Sequence, residues 1–286
     1  MPTQHFFEEK GKTWRDGAGE YLFFYVAILI EEGLDLMSNT PWYEAFFGED
    51  YLRIYLPFLP PDRTVREIKG IIKLLKLPAG KAILDLCCGY GRHAVPLAQQ
   101  GYQVTGLDLS EPFLRRAREK GEAQGVEARW LQGDMRTIPF ENEFDAVINI
   151  FTSFGYFEDE DDDLTVLQQI HQALKPGGLF LLETIYQPRV IRAFTPHGII
   201  RYEDGLMVLE ERRIDLRASR NEVRITMFYP DGRRVEHFQS IRIYTLTELI
   251  RMLASVGLEV EAYHGDLEGN ALTLDSRLVI LSRKAS

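Results

Sequence analysis

Residues 83–98 read ILDLCCGYGRHAVPLA, and this stretch decides the fold. It begins as a short apolar strand that contains Asp85, continues through two adjacent cysteines and two closely spaced glycines, Gly89 and Gly91, and ends with apolar positions at helical spacing. Glycines between a buried strand and the start of a helix let a ligand approach the backbone and its free amide groups. The stretch therefore predicts a strand, a ligand-binding loop and a helix.

Strands alternate with helices on both sides of this stretch. Because parallel neighbours need long crossovers, usually helices, the alternation predicts a parallel sheet covered by helices on both faces. The predicted strands are 81–88, 102–109, 126–135, 143–151 and 178–185, and the predicted helices are 64–77, 92–101, 110–124 and 162–174.

The pattern changes after the fifth strand. Residues 199–244 contain three polar/apolar alternations separated by hairpin-type turns, which predict an inserted antiparallel sheet. A helix follows at 245–256, where Thr245 and Glu248 have the spacing of a capping box. Two final strands lie close enough in sequence to pair antiparallel at one edge of the main sheet. The predicted fold is α/β: a doubly wound, seven-stranded, mostly parallel sheet with an antiparallel insertion.

The predicted domain boundaries follow from this layout. Residues 64–190 and 245–286 form the doubly wound core, residues 191–244 form the inserted sheet, and residues 1–63 form an N-terminal helical extension. The longest apolar run, residues 21–30, is too short for the roughly 20 residues that a membrane-spanning helix needs, so it is interpreted as a core or docking helix.

Composition limits the function. The formal net charge of −10 gives the chain no general attraction for DNA or for an anionic membrane. The only cysteines, Cys87 and Cys88, are adjacent, and neighbouring cysteines rarely pair with each other. We therefore expect no disulfide framework, a reducing compartment with the cytoplasm as the default, and no metal site.

The chemistry of the central loop leaves two cofactors open. Residues 89–94, GYGRHA, satisfy the dinucleotide pattern G-x-G-x-x-G/A, and Asp108 follows Gly89 by 19 residues, which favours an NAD(P)-dependent oxidoreductase. Against that interpretation, Asp85 lies only four residues before Gly89, where its charge would repel a pyrophosphate and attract an ammonium group. A further acid, Asp134, follows the third strand and could accept a hydrogen bond from an exocyclic amine.

These residues together resemble the class I S-adenosylmethionine (SAM)-dependent methyltransferases. The resemblance rests on the acid and glycines of DLCCGYG, on Gly133-Asp134-Met135, on the KPGG turn at 175–178 and on the order of the strands. It departs from the family pattern at Cys87, which stands where the family has its first glycine. The resemblance implies SAM as cofactor, with S-adenosylhomocysteine as its product, bound on a Rossmann-like sheet.

The resemblance also implies roles for individual residues. At the amino-acid end of SAM, Asp85 would attract the ammonium. The backbone from Cys87 to Gly91 would lie against the cofactor, since neither Gly89 nor Gly91 has a Cβ. Asn149 and Phe151 would lie under the methionyl chain. Around the nucleoside, Asp108 would accept from the ribose hydroxyls, Leu109 would contact the adenine face, Asp134 would accept from the adenine amine, and the Met135 backbone would read a ring nitrogen.

The expected reaction is in-line methyl transfer to nitrogen or oxygen of a small-molecule acceptor. Candidate general bases are Tyr156, Glu183 and His237, with His93 as a further candidate. By resemblance, the N-terminal extension and the inserted sheet would form a lid, in which Tyr43, Tyr51 and Arg53 would contact the cofactor's carboxylate or the acceptor.

The partners follow from the same residues. Strand four continues as NIFTSFGYF and lacks the Asn/Asp-Pro-Pro-aromatic sequence of many nucleic-acid amino methyltransferases, so we expect a small-molecule acceptor, with no DNA and no membrane. A homodimer is left open as one oligomeric state. An RNA-directed or non-catalytic SAM-binding protein remains an alternative.

Overall fold

The computed structural model describes residues 40–285 of the chain, and those from Pro41 onward belong to one compact unit. The run at 21–30 lies outside the described residues, as does most of the N-terminal extension. The strands are β1 (Ala82–Leu86), β2 (Gln103–Asp108), β3 (Arg129–Gln132), β4 (Phe144–Asn149), β5 (Leu174–Thr184), β6 (His197–Arg201), β7 (Met207–Asp215), β8 (Arg220–Phe228), β9 (Arg234–Arg242), β10 (Leu258–His264) and β11 (Leu278–Lys284).

The helices of the described chain occupy the segments between these strands and before β1. They are α1 (Trp42–Phe46), α2 (Glu49–Tyr55), α3 (Pro61–Leu75), α4 (Ala94–Gln99), α5 (Glu111–Ala123), α6 (Glu160–Ala173), α7 (Gln187–Arg192) and α8 (Leu246–Ser255), with a 3₁₀ turn at Leu56–Phe58. None of them is long and apolar enough to cross a membrane.

Seven strands form the main sheet in the order β10-β11-β5-β4-β1-β2-β3. The strands pair in parallel from β5 to β3, whereas β11 runs antiparallel to both β5 and β10. The prediction of a doubly wound, mostly parallel sheet with an antiparallel pair at one edge is confirmed. Its order reverses between β1 and β4, because the chain builds outward from β1 in one direction and from β4 in the other.

Helix boundaries follow local capping chemistry. The Ser110 hydroxyl accepts from the amide of Phe113 at 3.4 Å and begins α5. The predicted capping box of α8 is present, since Thr245 Oγ1 accepts from the Glu248 amide and Glu248 Oε2 accepts from the Thr245 amide. Helix α3 begins three residues before the predicted start, at Pro61, because proline suits the first helical position.

A second sheet contains β6, β7, β8 and β9 in sequential antiparallel order. It has one strand more than the three alternations in the sequence, since β6 is a separate five-residue strand. Its apolar side packs against α1 and α2, where Phe46 and Ile54 are buried with Val208 and Ile225. The short helices before α3 and this sheet therefore share one hydrophobic cluster.

Candidate active site

The order reversal between β1 and β4 creates a crevice at the carboxyl ends of the parallel strands, which is where open α/β sheets bind ligands. A cavity of about 460 Å³ occupies this position. The loops after β1, β2, β3 and β4 line one side of it, and residues of α1 and α2 line the other. No group of three or more His, Cys, Asp or Glu side chains within residues 40–285 is placed to hold a metal ion.

The loop after β1 turns through a run of left-handed backbone. Cys87, Gly89 and Gly91 have φ angles of 62°, 55° and 70°. The amides of Cys87 and Cys88 both donate to the carbonyl of Leu107 on β2, at 2.7 and 3.1 Å, which holds the turn in place. A left-handed conformation costs a non-glycine residue roughly 1–2 kcal/mol. Cys87 therefore adopts a backbone conformation in which glycine would carry no strain.

The two loop glycines serve different purposes. A Cβ on Gly89 would approach only a ring carbon of Phe113, at 3.8 Å, so this side of the loop is open. A Cβ on Gly91 would lie 3.0 Å from Trp130 and 3.1 Å from Ala117, within the packed layer beneath α5. Gly91 lies outside the cavity lining, and its absent Cβ permits packing between protein layers.

Asp85 and Arg92 present unpartnered polar atoms in the cavity lining. Both are nearly buried, with 2% and 7% of their surface exposed. Asp85 Oδ2 and Arg92 Nη2 are buried and have no hydrogen-bond partner among the described residues. Burial raises the pKa of Asp85 to about 7, the charge of Asp108 adds to this rise, and Arg92 opposes it. The cavity wall thus contains an unpaired acceptor and an unpaired donor.

Glu67 on α3 binds the residues that follow the loop. Its carboxylate accepts from Arg92 Nη1 and lies 2.9 Å from Nε2 of His93. Burial opposes ionisation of Glu67, but the hydrogen bond with His93 and the charge of Arg92 lower its pKa below the usual range. Burial and the Arg92 charge lower the pKa of His93 to about 4, so the ring is neutral at pH 7 and its Nε2 is directed at Glu67.

Two further carboxylates lie at the ends of β2 and β3. Asp108 Oδ2 accepts from the Gly89 amide at 2.7 Å and Oδ1 accepts from the Ser110 amide at 2.8 Å, which ties the first two loops together. Asp134 accepts from the Arg136 guanidinium through both oxygens and from the Arg136 amide. Despite partial burial, these contacts with Arg136 lower the pKa of Asp134.

The loop after β4 is strained and braced. Phe151 and Thr152 are consecutive non-glycine residues with φ of 65° each, which is rare for any residue and an outlier for a β-branched one. Glu183 Oε2 accepts from the Phe151 amide at 2.8 Å, and the Glu183 carbonyl accepts from the Thr152 amide at 3.1 Å. Arg277 donates to both Glu183 Oε1 and the Thr152 hydroxyl. The brace holds the Phe151 side chain in the cavity lining.

Aromatic rings close the cavity from the side of α1. The ring of Tyr156 is stacked with that of Tyr43, at a centroid distance of 6.3 Å, and with that of Phe47, at 5.6 Å. The three residues line the cavity together with Tyr51. Burial raises the pKa of Tyr156 well above its ordinary value of 10, so its hydroxyl stays protonated at neutral pH. It can donate a hydrogen bond but does not act as a base there.

Comparisons with known proteins give this geometry its context. A family described as "Methyltransferase domain" matches residues 83–178. A SAM-dependent methyltransferase from Clostridium acetobutylicum ATCC 824 has the same fold, with a TM-score of 0.73, 19% identity and coverage of 83% of this chain and 98% of that one. The cypemycin N-terminal methyltransferase of a Streptomyces species is 30% identical over 209 residues, which are 72% of this chain and 84% of the relative. The chain belongs to the SAM-dependent methyltransferases.

A second relative of this methyltransferase is similar over nearly as much of the chain. It is the dTDP-3-amino-3,4,6-trideoxy-alpha-D-glucopyranose N,N-dimethyltransferase of Streptomyces venezuelae, which is 27% identical over 202 residues, 69% of this chain and 83% of the relative. Membership of the family makes SAM the cofactor, in place of the nicotinamide dinucleotide that GYGRHA left open.

The residues of this methyltransferase fit SAM at the cavity wall. The amino-acid end of SAM carries an ammonium and a carboxylate, and Asp85 Oδ2 and Arg92 Nη2 are a buried acceptor and a buried donor without partners in the described chain. The open side of Gly89 leaves room for a ligand against the backbone. Asp108 and Asp134 lie on the side of β2 and β3, away from the Phe151 loop.

The structure brings most of the predicted site residues to one cavity. Those that line it are Tyr43, Tyr51, Asp85, Cys87, Gly89, Asp108, Leu109, Asp134, Met135, Phe151 and Tyr156. Gly91, Asn149, Arg53, Glu183 and His237 are outside the lining. The Asn149 amide is buried beneath the loop and donates to the Leu86 carbonyl at 3.1 Å.

The displaced residues are held by partners distant in sequence. Arg53 pairs with Asp204 in the turn between β6 and β7, and His237 Nε2 lies 2.9 Å from Asp50 Oδ2. Glu183 is occupied by Arg277 and the Phe151 amide, so its position is that of a brace. Arg92 was not predicted as a site residue, because nothing in a sequence marks an arginine as buried.

Proposed function

We propose that this methyltransferase transfers the methyl group of SAM to an amino nitrogen of a small-molecule acceptor. The observation that carries the proposal is the state of the predicted bases. Tyr156 is protonated, Glu183 and His237 are paired outside the cavity, and His93, which lines it, has its Nε2 2.9 Å from the Glu67 carboxylate. A neutral amine already carries the lone pair that attacks, whereas a hydroxyl acceptor more often needs a base.

The names of two relatives support nitrogen as the acceptor atom. The Streptomyces venezuelae relative is named for N,N-dimethylation of an amino sugar, and the cypemycin relative is named for methylation of a peptide N-terminus. Both names specify an amine on an otherwise different molecule. We therefore propose an amine as the acceptor group of this protein, but neither relative's complete substrate.

The cofactor-binding site that we propose is based on the unpartnered polar atoms of the cavity wall. Asp85 holds the ammonium of SAM and Arg92 holds its carboxylate, in place of the predicted Arg53. Asp108 accepts from the ribose, since each of its oxygens keeps a lone pair beyond the one used by a backbone amide. Asp134, Leu109 and Met135 face the adenine of SAM. When bound, SAM supplies a methyl group activated by a positively charged sulfur.

We propose that α1, α2 and the second sheet form a lid over the acceptor. Tyr43, Phe47 and Tyr156 form its stacked inner surface, and the α1–α2 segment is bonded to the sheet through Asp50, which accepts from the Tyr229 hydroxyl at 2.6 Å. Such a lid orients the acceptor in line with the methyl and excludes water, which are the main contributions a protein makes to this displacement.

Transfer of a radioactive methyl group from SAM to matched acceptors tests the proposal. The assay compares amino sugars, amino acids and polyamines with analogues in which a hydroxyl replaces the amine, and includes bulk RNA as a separate sample. We expect label in at least one amine and none in its hydroxyl analogue. Transfer to a hydroxyl analogue alone, or to RNA alone, would contradict the proposed acceptor.

A further inference from the structure

Three guanidinium groups surround the ring of Phe151. Their central carbons lie 4.9 Å (Arg92), 5.2 Å (Arg63) and 5.8 Å (Arg277) from the ring centroid. A fourth, Arg189, lies on α7, where Arg192 pairs at 3.3 Å with Asp275, two residues before Arg277, and the charges of Arg277 and Arg63 act on it. These four residues, called the arginine cluster below, come from four separate segments of the chain.

The arginine cluster is not neutralised by the protein. Two carboxylates, Glu67 and Glu183, pair with three of its members, and His93 beside Glu67 is neutral at pH 7. Four positive charges are therefore paired with two negative ones in a chain whose net charge is −10, and Asp85, which also interacts with Arg92, is the partner proposed for the ammonium of SAM. The nearby Asp275 pairs with Arg192, so it does not remove this excess.

Two members of the arginine cluster keep free donors. Arg92 Nη2 is buried without a hydrogen-bond partner, and the Arg189 guanidinium has neither a hydrogen bond nor an ion pair with any residue from 40 to 285. Partial burial and the like charges of Arg277 and Arg63 lower the pKa of Arg189. Arg189 is exposed, so its donors are open to water and to a ligand, whereas the buried Arg92 Nη2 is a donor that desolvation makes costly to leave unpaired.

The position of the arginine cluster relates it to the acceptor. Arg92 and Phe151 line the cavity, and Arg63 and Arg277 lie over the Phe151 ring outside that lining. Phe151 follows β4, Arg189 follows β5 and Arg277 precedes β11, whereas Asp108 and Asp134 lie at β2 and β3, on the opposite half of the sheet edge. The residues proposed for the nucleoside and the arginine cluster therefore occupy different halves of the crevice.

We propose that Arg63, Arg189 and Arg277 bind an oxyanion, a phosphate or a carboxylate, that belongs to the methyl acceptor. The acceptor is then an anionic small molecule that carries an amine. This inference rests on the proposed function, in which Arg92 takes the carboxylate of SAM. That carboxylate balances one of the two excess charges, and one positive charge remains for the acceptor.

The same charges assist the reaction at the amine. A cluster of positive charge disfavours protonation of a nearby amine and so increases the fraction with a free lone pair. Binding the oxyanion a few bonds away then orients that lone pair, because guanidinium groups hold phosphate and carboxylate in defined geometry. The arginine cluster would thus select the acceptor and position it without contacting the transferred methyl.

Calorimetric titration of pyrophosphate and, separately, of malonate tests the inference. Each is added to full-length protein saturated with S-adenosylhomocysteine, at an ionic strength held constant with potassium chloride. We expect at least one to bind, and its affinity to fall about tenfold or more in Arg189→Gln, since a hydrogen bond to a charged group is lost. The preferred probe distinguishes a phosphate acceptor from a carboxylate acceptor.

Arg251→Gln is the control, because it removes the same charge from an exposed residue of α8 that is in no ion pair with residues 40–285, whereas a change at Arg192 would release Asp275 near Arg189. It should bind the anion as the wild type does, and both variants should keep wild-type affinity for S-adenosylhomocysteine. Arg63→Gln gives a second removal from a different helix. The inference is overturned if neither anion binds in the presence of the potassium chloride, or if Arg189→Gln and wild type bind the anion equally well. Failure of the wild type to bind S-adenosylhomocysteine would instead contradict the proposed function.

Discussion

Glu183 Oε2 accepts a hydrogen bond from the Phe151 amide at 2.8 Å, and this contact joins the end of β5 to the strained loop after β4. Glu183 is nearly buried, and Arg277 pairs with its other oxygen. Glu183 is therefore a positioning residue, which acts through Phe151.

Glu183→Ala should lower the free energy of unfolding by roughly 3–5 kcal/mol, because it leaves Arg277 without its partner. Glu183→Gln keeps an acceptor for the Phe151 amide and should restore part of this stability. Denaturant unfolding of both variants measures the difference, with Glu259→Ala on exposed β10 as the control. Equal stability of the alanine variant and wild type would show that the brace is not needed.

The pKa of Asp85 gives the cofactor affinity a pH dependence. The cationic ammonium of S-adenosylhomocysteine should bind the ionised carboxylate, whose pKa in the free protein is about 7. Affinity should therefore rise about tenfold between pH 6 and pH 8 as the carboxyl loses its proton. His93, with a pKa of about 4, does not titrate in this range.

Calorimetry at several pH values measures this dependence, and Asp85→Asn is the comparison. The variant should bind more weakly and show little change across the same range. A wild-type affinity that stays constant from pH 6 to pH 8 would mean that Asp85 does not receive the ammonium.

The left-handed backbone of Cys87 predicts opposite effects for two substitutions. Cys87→Gly should leave the unfolding temperature unchanged or slightly raised, since relief of roughly 1–2 kcal/mol of strain offsets the flexibility of glycine in the unfolded chain. Cys87→Val should lower it, because a β-branched side chain tolerates φ of 62° poorly. Thermal unfolding gives the order directly, and a valine variant more stable than the glycine variant would refute it.

Asp163 and Tyr244 form a buried pair in which the charge of ionised Asp163 opposes folding. The Tyr244 hydroxyl donates to Asp163 Oδ2 at 2.7 Å, and burial raises the pKa of Asp163 to about 6. Because the folded protein holds this proton more tightly than the unfolded chain, stability from the group is present at low pH and is lost as pH rises from about 4 to about 6.

Asp163→Asn keeps an oxygen that can accept from Tyr244 and removes the titration. The stability of the variant relative to wild type should therefore increase as pH rises from 4 to 6. Denaturant unfolding at pH 4, 5 and 6 measures this difference. A relative stability that falls over the same range would contradict the raised pKa.

The sheet could be predicted from the sequence because each buried strand corresponds to a local run of apolar residues. The sequence also placed Asp85 and Asp108 together, since both end parallel strands and such ends meet at one edge of a sheet. The site residues it misplaced depend on distant partners. Arg53 meets Asp204, 151 residues away, and Glu183 meets Arg277, 94 residues away. No local pattern distinguishes Arg53, which pairs outside the cavity, from Arg92, which is buried in its wall.

Binding of S-adenosylhomocysteine to Arg92→Gln and Arg53→Gln, measured by calorimetry beside the wild type, tests the central claim most directly. Each variant loses one arginine, but only Arg92 has an unpartnered donor in the cavity lining. The wild type should bind one equivalent, Arg53→Gln should bind equally well, and Arg92→Gln should bind about tenfold more weakly or worse. No binding by the wild type at high micromolar concentration, or a loss confined to Arg53→Gln, would contradict this account of the cofactor seat.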